Sequence, residues 1–367
     1  MPIRFWVSPL TDNWDSTANW SLSSGGAGGA SVPGSTDTAV FDGNGPGSCL
    51  LNTSVSLEAL QVASDYLRTL FQTDTITVSG DSTFTGGRFE GNSSSISLNN
   101  VYIHGTDFTS TSGVLTIGGS FYFQEEPPIP VPPQTVLDEF TLDAQNISDK
   151  FVLLSDLPRD SSLVALNVIG GGPQNYGTDY TVSEFFLSWN GLALDGMLAP
   201  GDMIRALYDN QGSMLASTFG HNNGQVVFQA SGQRAFMGGA RFNDLLIQAA
   251  SGPLRVDSSC FVERSLNLDG GYLATNLDAT IHSWGDMTCN AGFGSAGTGC
   301  TIALDGTGRQ KILYMGGLLP TILINKQTTE HVWAYGQDPM VIDGDLVIQD
   351  GTFNTNGRDL LVGGVSA

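Results

Sequence analysis

Short runs in which apolar residues alternate with Ser or Thr recur along the first third of the chain. A period of two places every second side chain on the same face of a strand, so each run predicts a strand with one face in a core and the other in water. Glycines between the runs predict tight corners, because Gly adopts a positive φ at little cost. These runs lie at residues 48–52, 75–78, 95–98, 101–103, 114–117 and 120–123.

Three longer stretches, at residues 105–119, 271–285 and 351–364, share a fuller plan. Each opens at a Gly turn, continues through a polar corner rich in Thr, Ser or Asn, and ends in an apolar strand followed by Gly. Repetition of one strand–corner–strand unit predicts a chain that winds as a β-solenoid. Only residues 56–71 have a spacing of apolar residues that is also compatible with a helix.

The last part of the chain contains anchors that suggest a larger repeat. Met237 corresponds to Met315 (315 − 237 = 78), Leu245 to Ile322 (322 − 245 = 77) and Leu266 to Leu346 (346 − 266 = 80). We therefore predict a C-terminal solenoid with two repeats of about 80 residues, each holding several coils. Its last apolar run directly precedes residues 363–367, which contain no capping pattern. An open coil end is expected to be covered by another chain, by a second copy, or by a further part of the protein beyond Ala367.

The segment at residues 125–134 contains five prolines and predicts a linker, because Pro cannot pair within a central strand. Residues 135–208 have fewer Gly corners and six stronger apolar runs, which predict an antiparallel sandwich or jelly-roll-like module. The predicted fold is thus all-β, with β-solenoid segments at 1–124 and 209–367 flanking an inserted module at 135–208. Trp6, Trp14 and Trp20 are expected to pack in an N-terminal cap, with sugar stacking as the alternative.

Composition and charge narrow the possible partners. The chain has 14 Lys and Arg against 36 Asp and Glu, a net charge of −22, which disfavours nucleic-acid binding and suits a partner with basic patches. The N-terminus lacks an apolar leader, and no stretch is long enough to span a bilayer. We expect the chain to stay where it is made or to leave within an assembly.

The four cysteines do not follow the spacing of a zinc site. Cys289 and Cys300 flank a Gly-rich loop and could be bridged, although buried free thiols are an equally open reading at this stage. The histidines at 104, 221, 282 and 331 are far apart and match no ligand motif.

Paired acids were sought because glycoside hydrolysis needs two carboxylates across a cleft. Asp343, Asp345 and Asp350 form the densest set, followed by Asp278 with Asp286. Asp and Gly are also the residues that turns prefer, so a turn is the favoured reading, with a calcium site as a weaker alternative. We predict no catalytic, cofactor-binding or metal-binding residues and no enzymatic activity.

Two regions resemble proteins of tailed bacteriophages. The opening segments 4–7, 13–15, 18–21, 25–33 and 37–42 resemble the start of phage structural proteins. The segments 138–142, 170–177, 187–191 and 201–205 resemble a β-sandwich module of phage fibre-like and capsid-decorating proteins. The resemblance implies a virion structural protein, assembled in the host cytoplasm and oligomeric, with a homotrimer as the usual state. The C-terminal repeats also resemble the solenoids of adhesins.

Three functions therefore stay open at this stage. The leading prediction is a non-enzymatic virion component, either a capsid decoration or a part of a fibre or spike. It would contact other capsid or tail subunits, and possible contact with a host surface glycan stays open. The alternatives are a glycan depolymerase or receptor-binding tail spike, and a bacterial surface adhesin.

Overall fold

The computed structural model describes residues 2–124, 126–130, 135–154, 158, 161–183, 186–209, 214–229, 232–274, 279–295, 300–326 and 330–363. The fold is 54% strand and 3% helix, and it forms a β-solenoid of about 13 turns. This confirms the all-β solenoid that the alternating runs and Gly corners predict. Part of the predicted helical segment at 56–71 instead forms strands, so that interpretation is wrong.

The N-terminal coils consist of short strands separated by corners. The strands are β1 (Ile3–Trp6), β2 (Asp12–Asn13), β3 (Trp20–Ser21), β4 (Thr38–Phe41), β5 (Cys49–Leu51), β6 (Val55–Leu57), β7 (Ala59–Val62), β8 (Thr69–Gln72), β9 (Ile76–Phe84), β10 (Arg88–Glu90), β11 (Ile96–Ile103), β12 (Asp107–Thr109), β13 (Val114–Ile117) and β14 (Phe121–Phe123), with a 3₁₀ turn at Thr17–Asn19.

These strands pair in parallel with the equivalent strands one turn later, and they form three stacks. One stack runs through β1, β4, β7 and the ends of β9 and β11 to β14. A second runs through β2, β5, β8, β10 and β12. A third runs through β6 and the starts of β9 and β11 to β13. In the third stack Val55, Ile76, Ile96 and Leu115 lie one above another, in steps of 21, 20 and 19 residues (76 − 55, 96 − 76 and 115 − 96).

The inward positions of this ladder are buried, which explains why a period-two pattern folds this way. Val55, Ile76, Ile96 and Leu115 are each at most 5% exposed, whereas the Ser and Thr residues between them point outward. Stacking one apolar residue on the next builds a continuous core from units that could not bury their apolar face alone.

A separate unit interrupts the winding. Its elements are β15 (Glu126–Pro130), β16 (Thr135–Thr141), α1 (Ala144–Asp149), β17 (Phe151–Leu153), a 3₁₀ turn at Ser161–Leu163, β18 (Ala165–Val168), β19 (Gly172–Pro173), β20 (Thr181–Ser183), β21 (Phe186–Ser188) and β22 (Met203–Asp209). Strands β16, β22, β18 and β19 form one antiparallel sheet, and β17, β21 and β20 form another. Both sheets contribute to one apolar cluster of their own, which includes Leu166, Leu187, Trp189 and Ile204. The sandwich or jelly-roll arrangement itself stays a prediction.

The prolines of the predicted linker do not all lie in a free spacer. Within it, β15 pairs antiparallel with the returning strand β23 (Met214–Gly220) and lies at the edge of a seven-stranded sheet. An edge position suits proline because one side of the strand needs no backbone donor. Residues 125 and 131–134 lie outside the described residues.

The solenoid resumes after the insertion without a break in its core. Strand β24 (Gln225–Phe228) pairs with β13, and β25 (Gln233–Phe236) pairs with β14. Leu115 therefore lies beside Val226, although the two residues are 111 positions apart in the chain (226 − 115). One hydrophobic cluster extends from Trp6 to Ile342. The two predicted solenoid segments are thus parts of a single solenoid.

The C-terminal coils follow the same plan. Their strands are β26 (Arg241–Val256), β27 (Cys260–Ala274), β28 (Thr280–Ser283), β29 (Asp286–Asn290), β30 (Phe293–Ser295), β31 (Thr301–Leu304), β32 (Gln310–Met315), β33 (Thr321–Asn325), β34 (His331–Gly336), β35 (Met340–Ile342), β36 (Leu346–Asp350), β37 (Thr352–Asn354) and β38 (Leu360–Val362).

The repeat of these coils is shorter than the predicted 80 residues. Cys260, Ile281, Ile302 and Ile322 follow one another in one stack, in steps of 21, 21 and 20 residues. Leu245 belongs to a different stack, which continues through Leu266, and its predicted counterpart Ile322 does not lie there. The 80-residue correspondence therefore does not describe a structural repeat. It combined four coils and matched apolar triplets that occupy different sides of the coil.

Candidate functional surfaces

Asp343 and Asp345, the densest predicted pair of acids, occupy a corner between β35 and β36. The backbone N–H of Asp343 donates to the carbonyl of Leu319 at 2.7 Å, and that of Asp345 donates to Thr321 Oγ1 at 3.2 Å. Between them, a Cβ at Gly344 would lie 2.5 Å from the backbone nitrogen of Thr321, so only Gly fits this corner. These contacts account for the Asp-Gly-Asp sequence as a tight turn.

The other predicted acids also hold backbone. Asp350 Oδ1 accepts from the N–H of Gly351 at 2.8 Å, and Asp286 Oδ1 accepts from the N–H of Lys311 at 2.8 Å, one coil later. Asp286 thus stabilises the stacking of two coils. Asp278 lies outside the described residues. Among the residues that the structure describes, no three His, Cys, Asp or Glu side chains form a group that could hold a metal ion.

The four histidines lie at different places on the solenoid, and one of them belongs to an outward-facing ladder. His282 Nδ1 lies 2.6 Å from Asp305 Oδ2, and the His282 ring stacks on Phe261 with ring centroids 4.9 Å apart. Arg241 covers both Phe261 and Trp284, at 5.3 and 5.0 Å from the ring centroids. Because Phe261 has Arg241 and His282 as neighbours on successive coils, this ladder stabilises the coil stack.

The remaining histidines have local partners. His221 Nε2 lies 3.3 Å from a carboxylate oxygen of Glu263, and its Nδ1 accepts from the N–H of Asn223. The rings of His104 and Tyr102 lie 6.0 Å apart, and those of His331 and Trp333 lie 6.5 Å apart. The structure therefore does not bring the histidines together.

The cysteines are free and buried, which decides the open question of a bridge between Cys289 and Cys300. Burial raises the pKa of both of these thiols to about 12. Burial also raises the pKa of Cys260, with a smaller contribution from Cys300. Thiols with such a high pKa are poor nucleophiles and act as small apolar side chains of the core.

The three predicted cap tryptophans are all buried at the N-terminal end of the solenoid, which confirms cap packing over sugar stacking. Trp20 contacts Trp6 and Trp14 edge to face, with centroids 5.3 and 4.6 Å apart. Trp6 Nε1 donates to the carbonyl of Gly47 at 2.9 Å, and Trp20 Nε1 donates to that of Trp14 at 2.8 Å. An indole with its N–H satisfied inside the core is not available to a ligand.

A side patch of outward-facing apolar residues appears on two adjacent coils of the C-terminal part. It consists of Leu313 and Met315 on β32 and of Trp333 and Tyr335 on β34. Leu313 and Tyr335 are register partners, so they lie side by side across the coil boundary. The equivalent positions of the preceding coil are Thr288 and Asn290. The side patch is therefore a local feature of the C-terminal coils.

A second apolar surface is the open end, which is formed by the inward positions of the last described coil. Ile324 and Ile342 are fully buried, yet their partners one coil later, Ile348 and Val362, are 49% and 45% exposed. Further inward positions of this coil are Leu346, Phe353 and Leu360, which pack against the core but are only partly buried. The core thus emerges at this end of the described solenoid. The alternating pattern of the last coil indicates this surface, because its inward positions stay apolar.

The described part of the chain contains no helix with the length and apolarity that crossing a membrane requires. Comparison of the chain with protein-family models, with curated proteins and with solved structures finds no match.

Proposed function

We propose that this protein is a non-enzymatic structural component of a phage particle, a fibre, spike or capsid decoration, that acts by assembling with other subunits. The observation that carries the proposal is the contrast between its continuous core and its exposed apolar surfaces. A core that runs unbroken from Trp6 to Ile342 makes the solenoid one stiff body. The side patch and the open end then give that body places where burial against another subunit is favourable.

The sequence patterns in the opening and middle regions that resemble phage structural proteins support the virion setting. The side patch supports self-association, for which we propose a homotrimer arranged around the solenoid axis. Three copies of Leu313, Met315 and Tyr335 would meet near such an axis and leave the insertion on the outside. The net charge of −22 keeps the remaining surface soluble.

Sedimentation equilibrium on the purified chain tests the assembly. We expect an oligomer for the wild type and a monomer for the double variant Leu313→Ser, Tyr335→Ser, with circular dichroism and thermal unfolding of the fold retained. Leu22→Ser is the matched control, because Leu22 is 71% exposed but lies far away, after β3. It should leave the mass unchanged.

Binding to particles tests the setting. Phage heads and tails that lack this protein should retain the purified chain in a sedimentation assay. A wild type that is monomeric at every concentration and is not retained by heads or tails would overturn the proposal. A wild type that shortens a capsular polysaccharide would replace it with the depolymerase alternative.

A further inference from the structure

The rim of the open end is strongly acidic. The last coil carries Asp338, Asp343, Asp345, Asp350 and Asp359 against the single basic residue Arg358. The guanidinium of Arg358 is also engaged, because its Nε donates to the carbonyl of Gly336 at 3.0 Å. The exposed apolar edge is therefore surrounded by carboxylates.

This charge pattern disfavours a second copy as the occupant of the open end. Two copies that meet end to end would bring two acidic rims together, and like charges at a forming interface are repelled. The opposite end of another copy does not fit either, since β1 is paired on both sides, with β3 and with β4, and offers no free edge. Self-association through this face is thus opposed in both orientations.

The strands of the open end are apolar on both faces. In β36 the inward Leu346 and Ile348 flank the outward Val347, and in β38 the inward Leu360 and Val362 flank Leu361. Val347 is 39% and Leu361 is 48% exposed. Strands with a continuous apolar run are typical of sheets that are covered on both faces. An occupant would therefore pair with the strand edges and also cover part of their outer face.

We infer that the open end docks a different protein, which adds strands in register with β36 and β38. That protein would place apolar residues at alternate positions above Ile348 and Val362, and Lys or Arg residues opposite the acidic rim. This inference rests on the proposed function, because the partner is another subunit of the same assembly. It adds the chemistry by which that subunit is selected.

A charge-reversed copy of this chain serves as the probe. Asp343, Asp345 and Asp359 are suitable positions, since their carboxylates accept no hydrogen bond within the described part of the chain. All proteins carry Leu313→Ser and Tyr335→Ser, so that the side patch does not contribute. The acidic-rim protein, with its natural aspartates, is titrated with the labelled basic-rim variant D343K/D345K/D359K. Complex formation is followed by sedimentation velocity at 50 and 500 mM salt.

We expect the acidic-rim and basic-rim proteins to form a one-to-one complex and neither of them to self-associate. Affinity should fall at least about tenfold between the two salt concentrations, because the Debye length drops well below 10 Å. Ile348→Asp or Val362→Asp in the acidic-rim protein should abolish the complex while leaving thermal unfolding almost unchanged. The control D12K/D15K/D65K has the same net charge with the lysines at the other end, and it should not bind.

Self-association of the acidic-rim protein that Val362→Asp abolishes would overturn the inference and make a second copy the occupant. Equal binding by the D12K/D15K/D65K control would reduce the effect to general attraction, and the absence of any complex would also overturn it. These outcomes leave the proposed function intact, because that proposal is tested separately by wild-type mass and by retention on particles.

Discussion

The two ends of the solenoid solve the same physical problem differently. A coil stack exposes strand edges and apolar side chains wherever it stops. At the N-terminal end, Trp6, Trp14, Trp20, Phe41 and Tyr66 pack edge to face and close the core. At the described C-terminal end, Ile348 and Val362 occupy the same kind of inward position and stay half exposed. Closure thus depends on aromatic side chains supplied by loops, whereas the coil itself is the same at both ends.

The largest expected effect comes from opening the closed end. Trp20→Ala removes a fully buried indole and its hydrogen bond to the carbonyl of Trp14. We expect a loss of about 3 to 5 kcal/mol in the free energy of unfolding, from lost burial and the cavity left behind. Urea denaturation followed by circular dichroism measures it. Leu22→Ala, at a residue that is 71% exposed, should cost less than about 0.5 kcal/mol. A similar loss for both variants would show that the aromatic cluster does not close the core.

A matched pair at the other end sharpens the comparison. Ile342 and Val362 are register partners in β35 and β38, but Ile342 is fully buried and Val362 is 45% exposed. Ile342→Ala should cost about 2 to 5 kcal/mol, as for other buried aliphatic truncations. Val362→Ala should cost less than about 1 kcal/mol, because most of its surface already contacts water. Thermal and urea unfolding of the two variants side by side tests this, and a larger loss for Val362→Ala would mean that the open end is covered in solution.

Each half also has a buried polar group that ties a loop to the core. Lys326 is 1% exposed, and its Nζ donates to the carbonyls of Gly306 and Gly308 at 2.5 and 2.9 Å. Tyr66 is fully buried, and its hydroxyl donates to the carbonyl of Gly47 at 2.9 Å. Lys326→Met leaves two carbonyls without a donor and should cost about 1 to 3 kcal/mol.

Tyr66→Phe is the counterpart of Lys326→Met at the closed end. The carbonyl of Gly47 keeps the indole N–H of Trp6 as a donor, so this variant should cost only about 1 kcal/mol. Urea denaturation of both variants checks the order. Equal losses would mean that the ammonium group contributes no more than one neutral hydrogen bond.

The smallest expected effect concerns pH. Burial holds the pKa of Cys289 and Cys300 at about 12, above the value of 9.0 for an exposed thiol. As pH rises above 9, the unfolded chain loses these protons while the folded chain keeps them, so the stability of the fold decreases. Urea midpoints measured between pH 8 and pH 10.5 should fall, and Cys289→Ala with Cys300→Ala should flatten that fall. Rapid thiol alkylation of the native protein at pH 8 would contradict the burial on which this rests.

Much of the fold could be predicted from the sequence, because a solenoid writes its geometry into local patterns. Runs such as Ile76–Phe84 alternate between core and solvent, and the Gly corners mark where the chain turns. The Trp cap was also predictable, since scattered aromatic residues in a loop-rich segment suit the closing of a core better than a binding strip.

The coil period and the continuity of the core could not be predicted, because they depend on pairing between distant residues. The match of Leu245 to Ile322 relied on apolar triplets that look alike on every side of the coil. Likewise, the neighbour of Leu115 in the stack is Val226, which no local pattern indicates. The side patch was missed for the same reason: Leu313 and Tyr335 become one surface only when consecutive coils are aligned.

The path of the insertion has a consequence for how such a protein can change. The outgoing chain is held where the N–H of Gln124 donates to the carbonyl of Ile103, and the incoming chain is held where Ser217 Oγ accepts from the N–H of Gly105. Departure and return therefore take place at one corner of one turn. The intervening segment can be lengthened, exchanged for another fold or excised with a short splice, while the helical winding on either side keeps its pitch. The rod works as a mast with a single socket, to which new modules can be fitted independently of the two ends.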